Sequence, residues 1–122
     1  MGRPSPREFD SAARVELVQG TLDMLILKVL RLGPLHGQGI ATAIERNSED
    51  LFKIDHGSLY PALQRLQQEG WVTASWGTST NNRKAKFYSL TRAGRKQLQV
   101  ESSRWERLTR AIWLIMNPAK QE

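Results

Sequence analysis

Apolar residues recur along the chain at helical spacing in four segments and at strand spacing in two. In "GTLDMLILKVLRLGP" Leu22, Leu25, Ile26, Val29 and Leu30 form one stripe, widened by Met24, Leu27 and Leu32, so a mostly buried helix is predicted. Thr21 suits its N-cap, Asp23 complements the dipole of its first turn, and Gly33-Pro34 should stop it. "HGQGIATAIERN" predicts a shorter helix with Ile40, Ala41 and Ile44 inward and Asn47 near its end. "SEDLFKID" then reads as a linker with room for a short strand. A third helical stripe, Leu59, Ala62, Leu63 and Leu66, runs through "DHGSLYPALQRLQQEGWV" and ends at Gly70. "WVTASW" sets Val72, Ala74 and Trp76 against Trp71, Thr73 and Ser75, the period of a strand, and "KFYSL" is a second. Between them "GTSTNNRKA" carries Gly77 and Asn81-Asn82, which adopt left-handed turn conformations cheaply, so a hairpin with a long basic tip is expected. Thr91 can cap a final helix from Arg92 to Met116, ending before Pro118, with Gly94 in its first turn.

The third helix contains Pro61, which is tolerated only where few backbone N–H groups need an intrahelical acceptor. With Ser58 as N-cap the proline loses nothing; with Asp55 as N-cap one hydrogen bond is lost. Either way the helix starts sharply. Its other faces hold Ser58, Tyr60, Gln64, Arg65 and Gln68, with His56 and Gly57 at the N-terminal tip. Hydrogen-bonding side chains beside the positive end of a helix dipole suit phosphates and base edges. An ordinary solvated face is the alternative, although it would normally carry more Glu and Lys.

Charge sharpens the picture. The 122-residue chain has 18 Lys and Arg against 12 Asp and Glu, a net charge of +6. Half of the basic residues lie between Arg83 and Arg110, where the only acids are Glu101 and Glu106. Such a distribution favours a polyanionic partner. With no cysteine, a disulfide framework, a thiolate metal site and a cysteine nucleophile are excluded. His36 and His56 lie in different segments without a partner at catalytic or metal-binding spacing, so no enzyme, metal or cofactor is expected. No apolar leader or membrane-spanning run is present, which points to a cytoplasmic, nucleoid-associated setting.

The order helix, helix, polar-faced helix, hairpin is that of a winged helix-turn-helix. The expected fold class is therefore mainly α with a small β-hairpin: a mobile leader over 1–14, a winged helix-turn-helix domain over 15–90, a long C-terminal dimerisation helix over 91–117 and a tail over 118–122. Twenty-five helical residues extend ~37 Å, too long to pack wholly on so small a domain. Leu98, Trp105, Leu108, Ile112 and Ile115 repeat close to a heptad, and Trp113 and Met116 broaden the stripe. A symmetric homodimer is the simplest way to cover it.

The segments "LDMLILKVLRLGPLHGQGI", "GSLYPALQRLQQEGWV" and "WGTSTNNRKAKFYSLTRAG" together resemble the PadR family of bacterial transcriptional regulators, in particular its short members with a single C-terminal helix. The resemblance implies a homodimeric repressor that binds double-stranded operator DNA. It places Ser58, Tyr60 and Gln64 at the DNA surface and Arg83, Lys84 and Lys86 on the wing; His56 and Arg65 join them as candidate contacts. Gln38 stands where many relatives have an aromatic residue, and Ala85 interrupts the basic cluster of the wing. Trp105 resembles the aromatic that lines an inter-subunit ligand cavity in some relatives, which makes a planar hydrophobic effector its candidate ligand; packing as dimer core without a cavity is the alternative. The competing function is a winged-helix protein-interaction module that assembles through its C-terminal helix without specific DNA binding.

Overall fold

Leu59, Leu63 and Leu66 lie at the centre of the core, enclosed by Ile26, Leu27 and Leu30 from one side, Ile40 and Ile44 from another, and Val72 and Tyr88 from the sheet. Each such side chain contributes about 1.5–3 kcal/mol by leaving water. The computed structural model describes residues 19–119; the expected leader over 1–14 and the end of the tail, 120–122, lie outside them. The elements in order are α1 (Gln19–Val29), a 3-10 turn (Leu30–Leu32), β1 (Leu35–His36), α2 (Gly37–Asn47), α3 (His56–Gln68), β2 (Val72–Thr78), β3 (Lys84–Leu90) and α4 (Arg92–Met116). The fold is that of a winged helix with a long C-terminal helix, mainly α as the pattern indicates.

Several local expectations are corrected. Helix α1 already includes Gln19, so Thr21 lies inside it and Asp23 sits beyond its first turn. The apolar stripe stops being buried at Leu32, which is 85% exposed, because the tighter 3-10 turn shifts the phase of the last side chains. The linker after α2 contains no strand. Instead Leu35 and His36 form β1, which pairs antiparallel with Tyr88 and Phe87, so the hairpin is part of a three-stranded sheet in the order β1-β3-β2.

The hairpin itself is longer than expected and its tip shorter. Val72 faces Leu90, Trp76 faces Lys86 and Thr78 faces Lys84, so Lys84 joins Lys86 on the strand rather than standing in the tip. The tip closes over Ser79–Arg83, with the Ser79 N–H donating to the Arg83 carbonyl at 2.7 Å and Asn82 in the left-handed region at φ 61°.

Helix α3 ends in a Schellman motif. The Trp71 N–H donates to the Leu66 carbonyl and the Gly70 N–H to the Gln67 carbonyl, with Gly70 at φ 79°. Thr91 then starts α4 and ties it to this turn: its Oγ1 accepts from the Gly94 N–H at 2.9 Å and donates to the Gly70 carbonyl at 2.7 Å, and its own N–H donates to the Trp71 carbonyl. Leu98 is buried in the chain's own core, against the expectation that it belongs to a dimer stripe. Only the first part of α4 packs on the domain; from Trp105 onward its large apolar side chains are exposed.

Candidate nucleic-acid interface

Asp55 is the N-cap of α3, its Oδ1 accepting from the Ser58 N–H at 2.8 Å. Pro61 is consequently the sixth helical residue, and the bond it would have made to the Gly57 carbonyl is the one lost. Ser58 Oγ reaches Asp55 Oδ2 at 3.3 Å, so the capping carboxylate holds both the backbone and the hydroxyl of that residue. His56, Gly57 and Ser58 remain exposed at the tip.

The His56 ring meets the Tyr60 ring edge-on, with centroids 5.5 Å apart. Tyr60 is half-exposed and lies across the first residue of α2, Gly37, whose missing side chain makes room for it. His36 caps α2 through Nδ1, which accepts from the Gly39 N–H at 2.8 Å, and its ring stacks on Phe87 at 5.3 Å. The starts of α2 and α3 are thereby fixed side by side.

A surface groove runs between α3 and the base of the wing, lined by Tyr60, Gln64, Gln67, Gln68, Lys86 and Tyr88. It brings together four residues named from sequence, Tyr60, Gln64, Gln68 and Lys86. Gln67 was not among them; it is a simple one-turn continuation of Gln64 on the same face. Farther out, Lys84 Nζ lies 5.8 Å from the Trp76 ring centroid and Lys86 Nζ 6.0 Å from that of Tyr88. Arg83 is exposed in the tip.

Arg65 departs from this set. Its Nη2 donates to Asp23 Oδ1 at 3.0 Å, tying α3 to α1, so its guanidinium is engaged within the chain, against the expectation of a DNA contact. Burial raises the Asp23 carboxyl above its ordinary value in spite of the opposing hydrogen bond and charge of Arg65.

On α4, Trp105, Leu108, Ile112, Trp113, Ile115 and Met116 are all exposed, joined by Val100 and Leu114, which the heptad reading left out. Among the described residues no His, Asp and Glu group could hold a metal ion, and no helix is long and apolar enough to cross a membrane.

A polar-tipped third helix beside a cationic antiparallel wing defines the winged helix-turn-helix class. The chain belongs to the Transcriptional regulator PadR-like family, which it matches over residues 26–100; this is a family of transcriptional regulators rather than enzymes. It is 30% identical over 77 residues to the negative transcriptional regulator PadR of Bacillus subtilis, a match covering 63% of this chain and 42% of that one. It is 27% identical over 103 residues to an uncharacterized protein of Lysinibacillus sphaericus, covering 84% of this chain and 94% of that one. Among solved structures, a transcriptional regulator from Clostridium thermocellum superposes with a TM-score of 0.70 at 28% identity, over 77% of this chain and 91% of that one. A PadR family transcriptional regulator from Eggerthella lenta gives 0.73 at 25% identity, over 93% and 96%.

Proposed function

We propose that the protein is a homodimeric, sequence-specific DNA-binding repressor. One observation carries the reading: the polar face of α3, through Tyr60, Gln64, Gln67 and Gln68, and Lys86 at the base of the wing line a common groove, so a helix in the major groove and a wing on the flanking backbone can engage one duplex together. In this reading Arg83, Lys84 and Lys86 position the duplex through phosphates, while His56, Ser58, Tyr60 and Gln64 select bases. The exposed stripe of α4 from Trp105 to Met116 pairs with that of a second copy and sets two reading helices for successive major grooves. Trp105 stands at the end of the stripe nearest the domain, where a planar hydrophobic effector stacked on it would alter the angle between the paired helices.

The test is binding of the purified protein to duplex from its own upstream region, against unrelated duplex, across a salt series. A preference for its own region that survives ~150 mM salt, at two chains per site, supports the reading. Equal, salt-sensitive binding to both would reduce the basic surface to an electrostatic footprint and favour the protein-interaction module. For the effector, quenching of tryptophan emission by planar aromatic compounds in wild type but not in Trp105→Phe is expected; identical titrations in the two proteins would remove Trp105 from the reading.

A further inference from the structure

Trp76 is 66% exposed, and among the described residues no aromatic side chain is more so. Alternation along β2 puts it in phase with Val72 and Ala74, which face the core, but the sheet has by then run past the core. Its cross-strand partner is Lys86, and Lys84 lies over its ring. It therefore shares a sheet face with Lys86 and Tyr88, the two wing residues that line the groove beside α3. Over residues 71–90 the chain has three cations, Arg83, Lys84 and Lys86, and no acid.

An indole two-thirds exposed beside ammonium groups, with no carboxylate in the wing to neutralise them, matches a partner that alternates negative charge with apolar surface. Duplex DNA offers that alternation along its backbone and minor-groove wall. We propose that Trp76 is a DNA contact of the wing: its indole lies against sugar and base edges of the minor groove while Lys84 and Lys86 hold the flanking phosphates. This rests on the DNA-binding reading above and adds a source of sequence preference to it. A bulky ring in a narrow groove is accommodated most cheaply where the duplex deforms easily, so the site under the wing favours a flexible pyrimidine–purine step.

The experiment uses the full chain and a duplex selected by the wild-type protein from a random 20-base-pair library. Trp76→Ala weakens binding to that duplex by about tenfold, the scale of one lost aromatic contact, and leaves the slope of affinity against salt unchanged. Lys84→Gln reduces that slope by ~0.9, as loss of one phosphate contact does. The difference in emission between wild type and Trp76→Phe, which isolates the Trp76 indole from the other three, is quenched when the duplex is added. Wild-type affinity in Trp76→Ala, together with a difference emission that DNA does not move, overturns the proposal and returns the indole to solvent or to a protein partner. If Trp76→Ala melts early, the Trp76→Phe difference emission decides alone. Failure of the wild-type protein to enrich any duplex is a separate outcome, which overturns the DNA-binding reading and this proposal with it.

Discussion

The Tyr60 ring lies over Gly37 so closely that a Cβ built on the glycine would be 2.4 Å from the tyrosine oxygen and 2.8 Å from Cε1 and Cζ. The atoms in the way belong to the far end of a half-exposed side chain, so Gly37→Ala is relieved by swinging Tyr60 outward. The expected result is a stability loss below about 1 kcal/mol in urea denaturation, because no core group moves. DNA affinity is expected to fall all the same, since the swing displaces a residue of the proposed reading surface. Unchanged affinity in a folded Gly37→Ala protein would mean that Tyr60 is not part of that surface.

Gly94→Ala is the opposite kind of substitution. A Cβ there would meet the Trp71 carbonyl oxygen at 2.0 Å, and that oxygen is backbone already bonded to the Thr91 N–H. Relief requires α4 to move away from the α3–β2 turn. The loss expected is about 1–3 kcal/mol or more, seen as a lower melting temperature at every protein concentration.

The Asp23–Arg65 pair makes a prediction with a definite sign. Burial raises the carboxyl of Asp23 in the folded state, so this group's stabilising contribution is complete below its unfolded value and is lost as pH rises through the folded one. The stability of wild type relative to Asp23→Asn should therefore fall as pH rises from about 4 through the raised folded-state value of Asp23 and then level off. A difference that grows with pH over the same range would show that Arg65 outweighs burial. Arg65→Met, which leaves the half-buried carboxylate unpaired, is expected to cost about 1–3 kcal/mol at neutral pH.

Leu98 and Ile112 share one helix but differ in burial, the first in the core and the second exposed. Leu98→Ala opens the chain's own core and is expected to cost about 2–5 kcal/mol of unfolding free energy whatever the protein concentration. Ile112→Asp touches nothing in the chain's core, so it should leave the unfolding of a single chain nearly unaltered and shift the mass measured by sedimentation from two chains to one. Retention of a stable dimer by Ile112→Asp would exclude the α4 stripe as its seam.

The three stripes of the core were legible because period alone dictates which side chains of a helix face inward, and Leu22, Ile40, Ile44, Leu59, Leu63 and Leu66 all lie where that period puts them. Caps were legible in part, as local chemistry: Thr91 and Asp55, one of the two candidates for α3, each accept from the N–H three residues on, whereas Thr21 lies inside α1. What escaped depended on distant partners. Leu35–His36 is too short to alternate and is a strand only because β3 lies beside it. Arg65 looked like a member of the polar face, and only the approach of Asp23, 42 residues earlier, shows that its guanidinium is engaged elsewhere. Leu98 and Trp105 fall on one heptad stripe, and Val72 and Trp76 on one strand face; in both pairs the difference is where the domain surface lies, which no periodicity records.

Thr91 has a mechanical consequence. Because its hydroxyl bonds both the Gly94 N–H and the Gly70 carbonyl, and its N–H the Trp71 carbonyl, the end of α3 and the start of α4 meet in a braced corner. Reading helix and long helix then turn as the two arms of a crank. With an arm of about 37 Å, a rotation of roughly ten degrees at the corner sweeps the far end through ~6 Å, comparable with one helical turn. In an assembly that clasps the far ends of α4, a small change of angle there becomes a change in the separation of the reading heads without any rearrangement inside either domain.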